Sequence, residues 1–354
     1  MAIDEAQIEQ MMGRLVGYMT GGAMSFGIWL GDEVGFYRAL AGAGAMTADD
    51  LATKANTNPR LTREWLDSQA AGGLIDYDES RDTYTLSPEA GMALADENAP
   101  VFVARAMNAF ASMFLDMDKI KGAFQSASGG LSWGDHDHHL FKGTEWFFRP
   151  GYRTFLTNDW IPALTGVVSK LDKGAKVADI GCGHGASSVV MAQTWPASHF
   201  YGFDFHAPSI EASKERAKEA GVSGNTTFAV ADAKGYDGTF DLICFFDCLH
   251  DMGDPVGIAK YASEHLAPDG TVLLVEPFAF ADRVQNIREN PMAPLLYLAS
   301  STICTPNSLS QDVGLGLGAG AGPDKLRKVF EDAGFTQFRV ATETPLNLII
   351  EAKA

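Results

Sequence analysis

Two rhythms of apolar residues divide this 354-residue chain near its middle. Toward the N-terminus the period is helical. Ile8, Met11, Met12, Leu15, Val16 and Met19 fall at i, i+3, i+4, i+7, i+8 and i+11, the stripe of an amphipathic helix. Helical-looking apolar sequence resumes from Ala23 to Leu40, and such methionine-rich faces belong to cores or subunit interfaces. Beyond Ala175 the apolar residues instead form short, nearly continuous runs: 176–180, HFYGFD ending at Asp204, TTFAVAD ending at Asp232, FDLICFFD ending at Asp247, and TVLLVEP. Runs of this kind suit parallel strands buried on both faces. Helical stretches alternate with them, from Ala186 to Gln193, from Pro208 to Gly221 and from Asp254-Pro255 to Leu266. FRVATE and LNLIIEAKA, hinged at Thr344-Pro345, complete an antiparallel edge hairpin. The expected fold is a doubly wound α/β sheet of seven strands, whose ligands sit at the carboxyl ends of the strands.

In front of that sheet the pattern predicts a separate organisation. Thr47 and Asp50 resemble a capping box for a helix through Ala55, and Asn58-Pro59 opens a second helix to Ala71. LIDYDESRDTYTLS then reads as a hairpin. Helix, helix, hairpin is a winged-helix outline, which commonly reads DNA. Residues 47–87, however, carry eight acids against Lys54, Arg60, Arg63 and Arg81, and DNA-reading modules are usually basic. A fold reused for dimerisation or as a pocket wall fits better. The expected domains are residues 1–99 (helical and winged-helix-like), 100–164 (a helical connector and pocket wall) and 165–354 (the sheet).

Composition narrows the function. A formal net charge of −18 disfavours a phosphate-backbone partner and favours a cationic ligand. No apolar run is long enough to span a membrane, and the acidic start MAIDEAQIEQ is unlike a signal peptide. Four cysteines (Cys182, Cys244, Cys248 and Cys304), three of them in or beside predicted strands, point to reduced thiols in the cytoplasm. His136, His138 and His139 lie in one aromatic-rich loop beside Asp135 and Asp137. Consecutive loop residues rarely converge on one ion, so no metal is expected. The same region offers Trp146, Phe147, Arg149 and Tyr152 as walls for a small-molecule acceptor.

The chemistry concentrates where strands end. Gly181, Gly183 and Gly185 follow the first strand in a G-x-G-x-G turn, rather than the G-x-G-x-x-G of dinucleotide folds. Asp179 precedes that turn and can order it or meet an ammonium. Asp204 stands where ribose hydroxyls are bound, and Asp232 where an exocyclic adenine amine can be accepted. No lysine follows the glycines as a nucleoside triphosphate would need. The run GLGLGAGAG, inside an insertion at 279–322, follows no clear strand and is expected to be a flexible loop.

With these residues in order, the chain resembles the class I S-adenosylmethionine-dependent methyltransferases over 165–354. With its N-terminal region it looks like bacterial small-molecule O-methyltransferases whose N-terminal half serves dimerisation and pocket closure. The resemblance implies S-adenosylmethionine as cofactor and a homodimer. It adds Phe205, Ala233 and Asp247 to the cofactor site formed by Asp179, Asp204, Asp232 and the three glycines. FDCLHDMGDP is similar to the family's L-H-D-W segment, which carries the general-base role over to His250; Met252 stands where the family often has tryptophan. Asp251 and Glu276 are candidates for orienting base or substrate. Two other readings stay open: methylation of a small thiol or sulfide, and a non-catalytic winged-helix regulator that senses the methyl donor.

Overall fold

The computed structural model describes residues 3–354, which divide into two compact units: 3–114 with 138–150, and 115–137 with 151–354. The stretch expected to be a connector contributes to both.

In the first unit the two expected N-terminal helices are one, Glu5–Val34. The Asp4 carboxylate accepts from the backbone N–H groups of Ala6 and Gln7, and Gly35 ends the helix at φ +82°. The stripe is not core within the chain, because Val16 is 54% and Met19 75% exposed. Burial is confined to the last turns of the helix, at Gly27, Gly31 and Asp32. A Cβ at Gly31 would lie 2.4 Å from the Trp65 ring and 2.6 Å from that of Tyr37, so this closeness requires glycine. Phe36, Tyr37, Leu40, Leu51, Trp65, Leu66, Tyr84, Phe102 and Trp146 form the core.

The winged-helix outline is present. Helix Ala48–Ala55 starts at a Thr47–Asp50 capping box. Helix Pro59–Ala71 is capped by Asn58. Strands β1 (Asp76–Asp78) and β2 (Thr83–Thr85) pair antiparallel as the wing. Arg63 donates both terminal nitrogens to the Asp82 carboxylate, at 2.9 and 3.0 Å, and Arg60 pairs with Glu64.

The second unit holds the sheet. Its strands are β3 (Lys176–Ile180), β4 (His199–Asp204), β5 (Thr226–Val230), β6 (Phe240–Phe246), β7 (Leu266–Pro277), β8 (Gln337–Glu343) and β9 (Asn347–Lys353). Their order is β5-β4-β3-β6-β7-β9-β8, with β9 antiparallel to both its neighbours and the other six strands running in one direction. The central strands β3, β6 and β7 carry buried apolar side chains on both faces, and Ile180, Ile243, Phe245, Val272, Leu274 and Ile350 are buried. Truncating one of these, such as Phe245→Ala, costs about 3–5 kcal/mol. Chain order reverses between β3 and β6, which opens a crevice beyond their carboxyl ends.

The insertion departs from expectation. Helix Ala293–Ala299 continues through a π-helical turn, Ser300–Cys304, into Thr305–Leu309. The glycine run is tethered rather than free. Leu315 N–H donates to the Gly253 carbonyl, Gly316 N–H to Ser308 Oγ, Gly318 N–H to the His250 carbonyl, and Ala319 N–H to Ser300 Oγ. These bonds satisfy backbone groups that a covered loop would otherwise leave without partners.

Candidate active site

The crevice is framed by the turn after β3. Gly181, Gly183 and Gly185 all have positive φ, from +51° to +72°, where a side chain would be strained. At Gly185 a Cβ would also lie 2.8 Å from Ser213 Cβ and 2.9 Å from the Phe228 ring. Cys182, inside the turn, is buried, and its sulfur faces Gly202.

Asp179 stands beneath this turn, 1% exposed. Its Oδ2 accepts from the hydroxyls of Ser187 and Ser188, both at 2.6 Å, while its Oδ1 has no partner. Burial pushes its pKa up to about 6, with the serines opposing and Asp204 adding to the rise. Sequence reasoning missed the two serines, although they directly follow the turn at the start of helix Ala186–Thr194. Asp204, on β4, accepts from Gly183 N–H at 2.9 Å and from His206 N–H at 2.8 Å, and burial raises its pKa. It thereby ties the second strand's end to the glycine turn. Asp232 is exposed, accepting from Lys234 N–H at 3.0 Å, and Phe205 beside Asp204 is 54% exposed. Ala233 is half-buried.

The segment after β6 crosses this rim. Cys248 donates its thiol to the Ile180 carbonyl at 3.2 Å, and a Cβ at Gly181 would lie 3.1 Å from the same sulfur. Met252, where the resemblance expects tryptophan, lies 3.5 Å from that Cβ position, so it takes up the packing against the glycine turn. Asp247 has φ +51°, strained for a residue with a side chain. Its Oδ1 accepts from Asn347 Nδ2 at 2.9 Å, its Oδ2 has no partner, and burial raises its pKa strongly, with Glu276 adding to the rise. Nothing in the sequence marked Asn347, which arrives from the edge hairpin.

His250 and Glu276 meet on this rim, 4% and 2% exposed. The ring nitrogen Nδ1 pairs with Glu276 Oε2, and the His250 backbone N–H donates to Oε1 at 3.2 Å. One carboxylate thus grips both ring and backbone of the same residue. Burial lowers the His250 pKa, but the Glu276 charge outweighs it, leaving it well above the ordinary histidine value. The imidazole therefore holds its proton more firmly than an ordinary histidine does. Asp251 is raised to about 7, chiefly by burial. Its backbone carbonyl accepts from Asn307 Nδ2 at 3.1 Å and from Gln311 Nε2 at 3.2 Å.

The expected acceptor residues do not form one group within a unit. Tyr152 packs in the second unit against Phe246, ring centroids 5.5 Å apart, and burial raises its pKa strongly. Trp146 is core of the first unit, edge-on to Phe102, with the Arg149 guanidinium 4.3 Å above its ring. Phe147 is 39% exposed on the same helix. His136 pairs with Asp116 at 3.1 Å, while His138 and His139 open helix His138–Gly151.

Comparison with known proteins agrees with this geometry. Residues 171–334 match a methyltransferase domain, and residues 22–96 match an Rv2258c-like winged HTH domain. The 27-O-demethylrifamycin SV methyltransferase of Amycolatopsis mediterranei is 30% identical over 145 residues, 40% of this chain and 51% of that protein. The match thus spans about half the length of that curated relative. Among solved structures, the mitomycin 7-O-methyltransferase MmcR superposes with a TM-score of 0.69 at 18% identity, covering 99% of this chain and 100% of that one. Human N-acetylserotonin methyltransferase, solved in complex with SAM, superposes with a TM-score of 0.70 at 17% identity, covering 99% of this chain and 98% of that one.

Proposed function

We propose that this chain, which belongs with the class I S-adenosylmethionine-dependent methyltransferases, transfers a methyl group to an oxygen of a small molecule. The observation that carries the reading is the buried His250–Glu276 pair on the rim beside the glycine turn.

The residues fit the cofactor. Asp179 presents a buried carboxylate oxygen without a partner, the kind of group an ammonium would satisfy. Asp204 and Asp232 terminate neighbouring strands where ribose and adenine would be held, with Phe205, Ala233 and Asp247 alongside. When bound, S-adenosylmethionine supplies a methyl group on a sulfonium, an electrophile that needs no further activation. The protein has to orient the acceptor and remove its proton. Orientation contributes roughly 7–11 kcal/mol and a positioned base about 10²–10⁴-fold in rate.

His250 is that base, with Glu276 as its positioning residue and Asp251 beside it. A raised pKa makes the neutral ring a stronger base, which matters most for hydroxyl acceptors because thiols ionise readily without help. The dyad therefore favours oxygen over sulfur. Tyr152, packed on Phe246 in the second unit, is a candidate acceptor contact there, and Trp146, Phe147 and Arg149 are candidates on the first unit. The regulator reading is disfavoured because Arg60 and Arg63, on the helix that would meet DNA, are spent on Glu64 and Asp82. The exposed N-terminal stripe supports a homodimer, and the free cysteines suit a cytoplasmic setting.

The test is a screen of hydroxylated small molecules with isotopically labelled donor, followed by His250→Ala on the best acceptor. A fall of at least about a hundredfold in kcat supports the assignment. A loss below tenfold removes His250 from the base role, and heat-free titration of folded protein with S-adenosylhomocysteine removes the whole reading.

A further inference from the structure

At the edge of the sheet, the hairpin β8–β9, helix Gly322–Asp332 and Thr165 border a cavity of about 370 Å³. Its place is fixed by β9. Asn347, whose amide holds Asp247 on the rim of the crevice, starts that strand, and Lys353, which lines the cavity, ends it. The length of the strand sets the two apart by roughly 20 Å. Three cations converge on the cavity in a chain of net charge −18: Arg327, Arg339 and Lys353. Each is already anchored. The Arg327 guanidinium lies 4.8 Å from the Phe338 ring centroid and donates from Nη1 to the Phe338 carbonyl at 2.9 Å. Arg339 donates from Nε to Glu351 at 2.6 Å and from Nη2 to the Ala163 carbonyl at 2.8 Å. Lys353 Nζ stands 3.3 Å from Glu351 Oε1. A guanidinium has five N–H groups and an ammonium three, so donors remain on all three cations after these bonds.

The two carboxylates on the cavity differ. Glu351 is 4% exposed and also accepts from the Thr165 N–H at 3.0 Å and the Thr165 hydroxyl at 3.1 Å. Burial works against its charge, but the bonds from Thr165 and Arg339 outweigh it and hold its pKa below the ordinary value. It is an ionised post that fixes Arg339 and Lys353. The Glu331 carboxylate makes no hydrogen bond or ion pair among the described residues, although it stands one helical turn from Arg327. Anchored cations with donors to offer, gathered around one cavity, are the parts of an oxyanion site.

We propose that this cavity binds a small multivalent oxyanion, a phosphate ester or a polycarboxylate, through Arg327, Arg339 and Lys353. The two guanidinium groups supply planar donor pairs and the lysine a point charge, while Glu331 opposes the ligand and limits its affinity. The site is separate from that of the methyl donor and acceptor, whose crevice lies at the other end of β9.

Calorimetry tests the site on the full-length protein in phosphate-free buffer of low ionic strength at pH 7, with sodium pyrophosphate and sodium citrate as probes. At least one probe is expected to bind at millimolar concentration or below. Tighter binding of pyrophosphate identifies a phosphate ester as the ligand class, and tighter binding of citrate a polycarboxylate. Arg327→Gln and Lys353→Gln should each weaken the better probe roughly tenfold or more, because a charge-assisted hydrogen bond is lost. Glu331→Gln should tighten it about threefold by removing an opposing charge, a change that general damage to the fold does not produce. Titration of the same samples with S-adenosylhomocysteine reports on the crevice independently, so failure here is separable from failure of the methyltransferase reading. No heat from either probe with wild type, binding unchanged in both Arg327→Gln and Lys353→Gln, weaker binding in Glu331→Gln, or displacement of the probe by S-adenosylhomocysteine would overturn the proposal. If Arg327→Gln does not fold, Lys353→Gln makes the comparison, and the wild-type titration decides without either.

Discussion

Asp179→Asn separates what the buried carboxylate does for binding from what it costs in folding. The rise in its pKa from 3.8 to about 6 corresponds to about 3 kcal/mol against ionisation in the folded chain. A raised acid destabilises the folded state progressively as pH climbs from 3.8 through about 6, and the full cost is present above that. Asparagine carries no such cost, and its amide oxygen can still accept from Ser187 and Ser188. At pH 8 the variant without ligand should therefore unfold at higher urea than wild type, by up to about 3 kcal/mol. Binding should move the other way. A hydrogen-bonded ammonium is worth about 1.5–3 kcal/mol, so affinity for S-adenosylhomocysteine should fall roughly 10–150-fold. The wild-type Kd should also weaken about tenfold per unit below pH 6, as the carboxyl takes up its proton, and that slope should vanish in the variant. Calorimetry from pH 5 to 8 with parallel urea melts measures all three. A slope that survives in Asp179→Asn, or a variant both weaker in binding and less stable, refutes the assignment of Asp179 to the ammonium.

Methyl transfer should increase with pH through a limb lying above the ordinary histidine value, because His250 acts only once its proton has left and its surroundings retain that proton. Glu276→Gln should shift the limb to lower pH while reducing the plateau rate; a limb that stays put under this change means another group titrates. Paired substitutions Met12→Asp and Val16→Asp on the exposed stripe should convert a dimer into monomers in sedimentation velocity, with no change expected if the stripe is merely solvated. Gly185→Ala should destabilise the sheet unit by about 2–5 kcal/mol in urea melts, combining left-handed backbone strain with overlap against Ser213 and Phe228.

The sheet was legible because parallel strands leave an unmistakable trace: runs such as Leu242 to Phe246 are apolar on both faces, and Asp204, Asp232 and Asp247 mark where they stop. Caps at Thr47 and Asn58 located the winged-helix helices for an equally local reason. What escaped were contacts made across long separations in the chain. Asn347 reaches Asp247 from a hundred residues away, and no spacing rule ties them. The glycine run looked mobile because composition speaks only of backbone freedom; its fixation depends on Gly253, Ser308 and His250, each supplied by other segments. The same blindness hid the exposure of the N-terminal stripe. Periodicity identifies an apolar face but not what lies opposite it.

The tether between the glycine run and the segment after β6 has a consequence for anyone re-engineering this protein. Gly318 and Leu315 grip His250 and Gly253 through the main chain, while Asn307, Ser308 and Gln311 hold the carbonyls of Asp251 and Met252. Residues 300–318 therefore behave as a jig for the histidine rather than as an interchangeable lid. Grafting that stretch from a relative to alter acceptor choice would reset the position of the imidazole in the same stroke, and a transplant would need its own matching L-H-D segment to go with it.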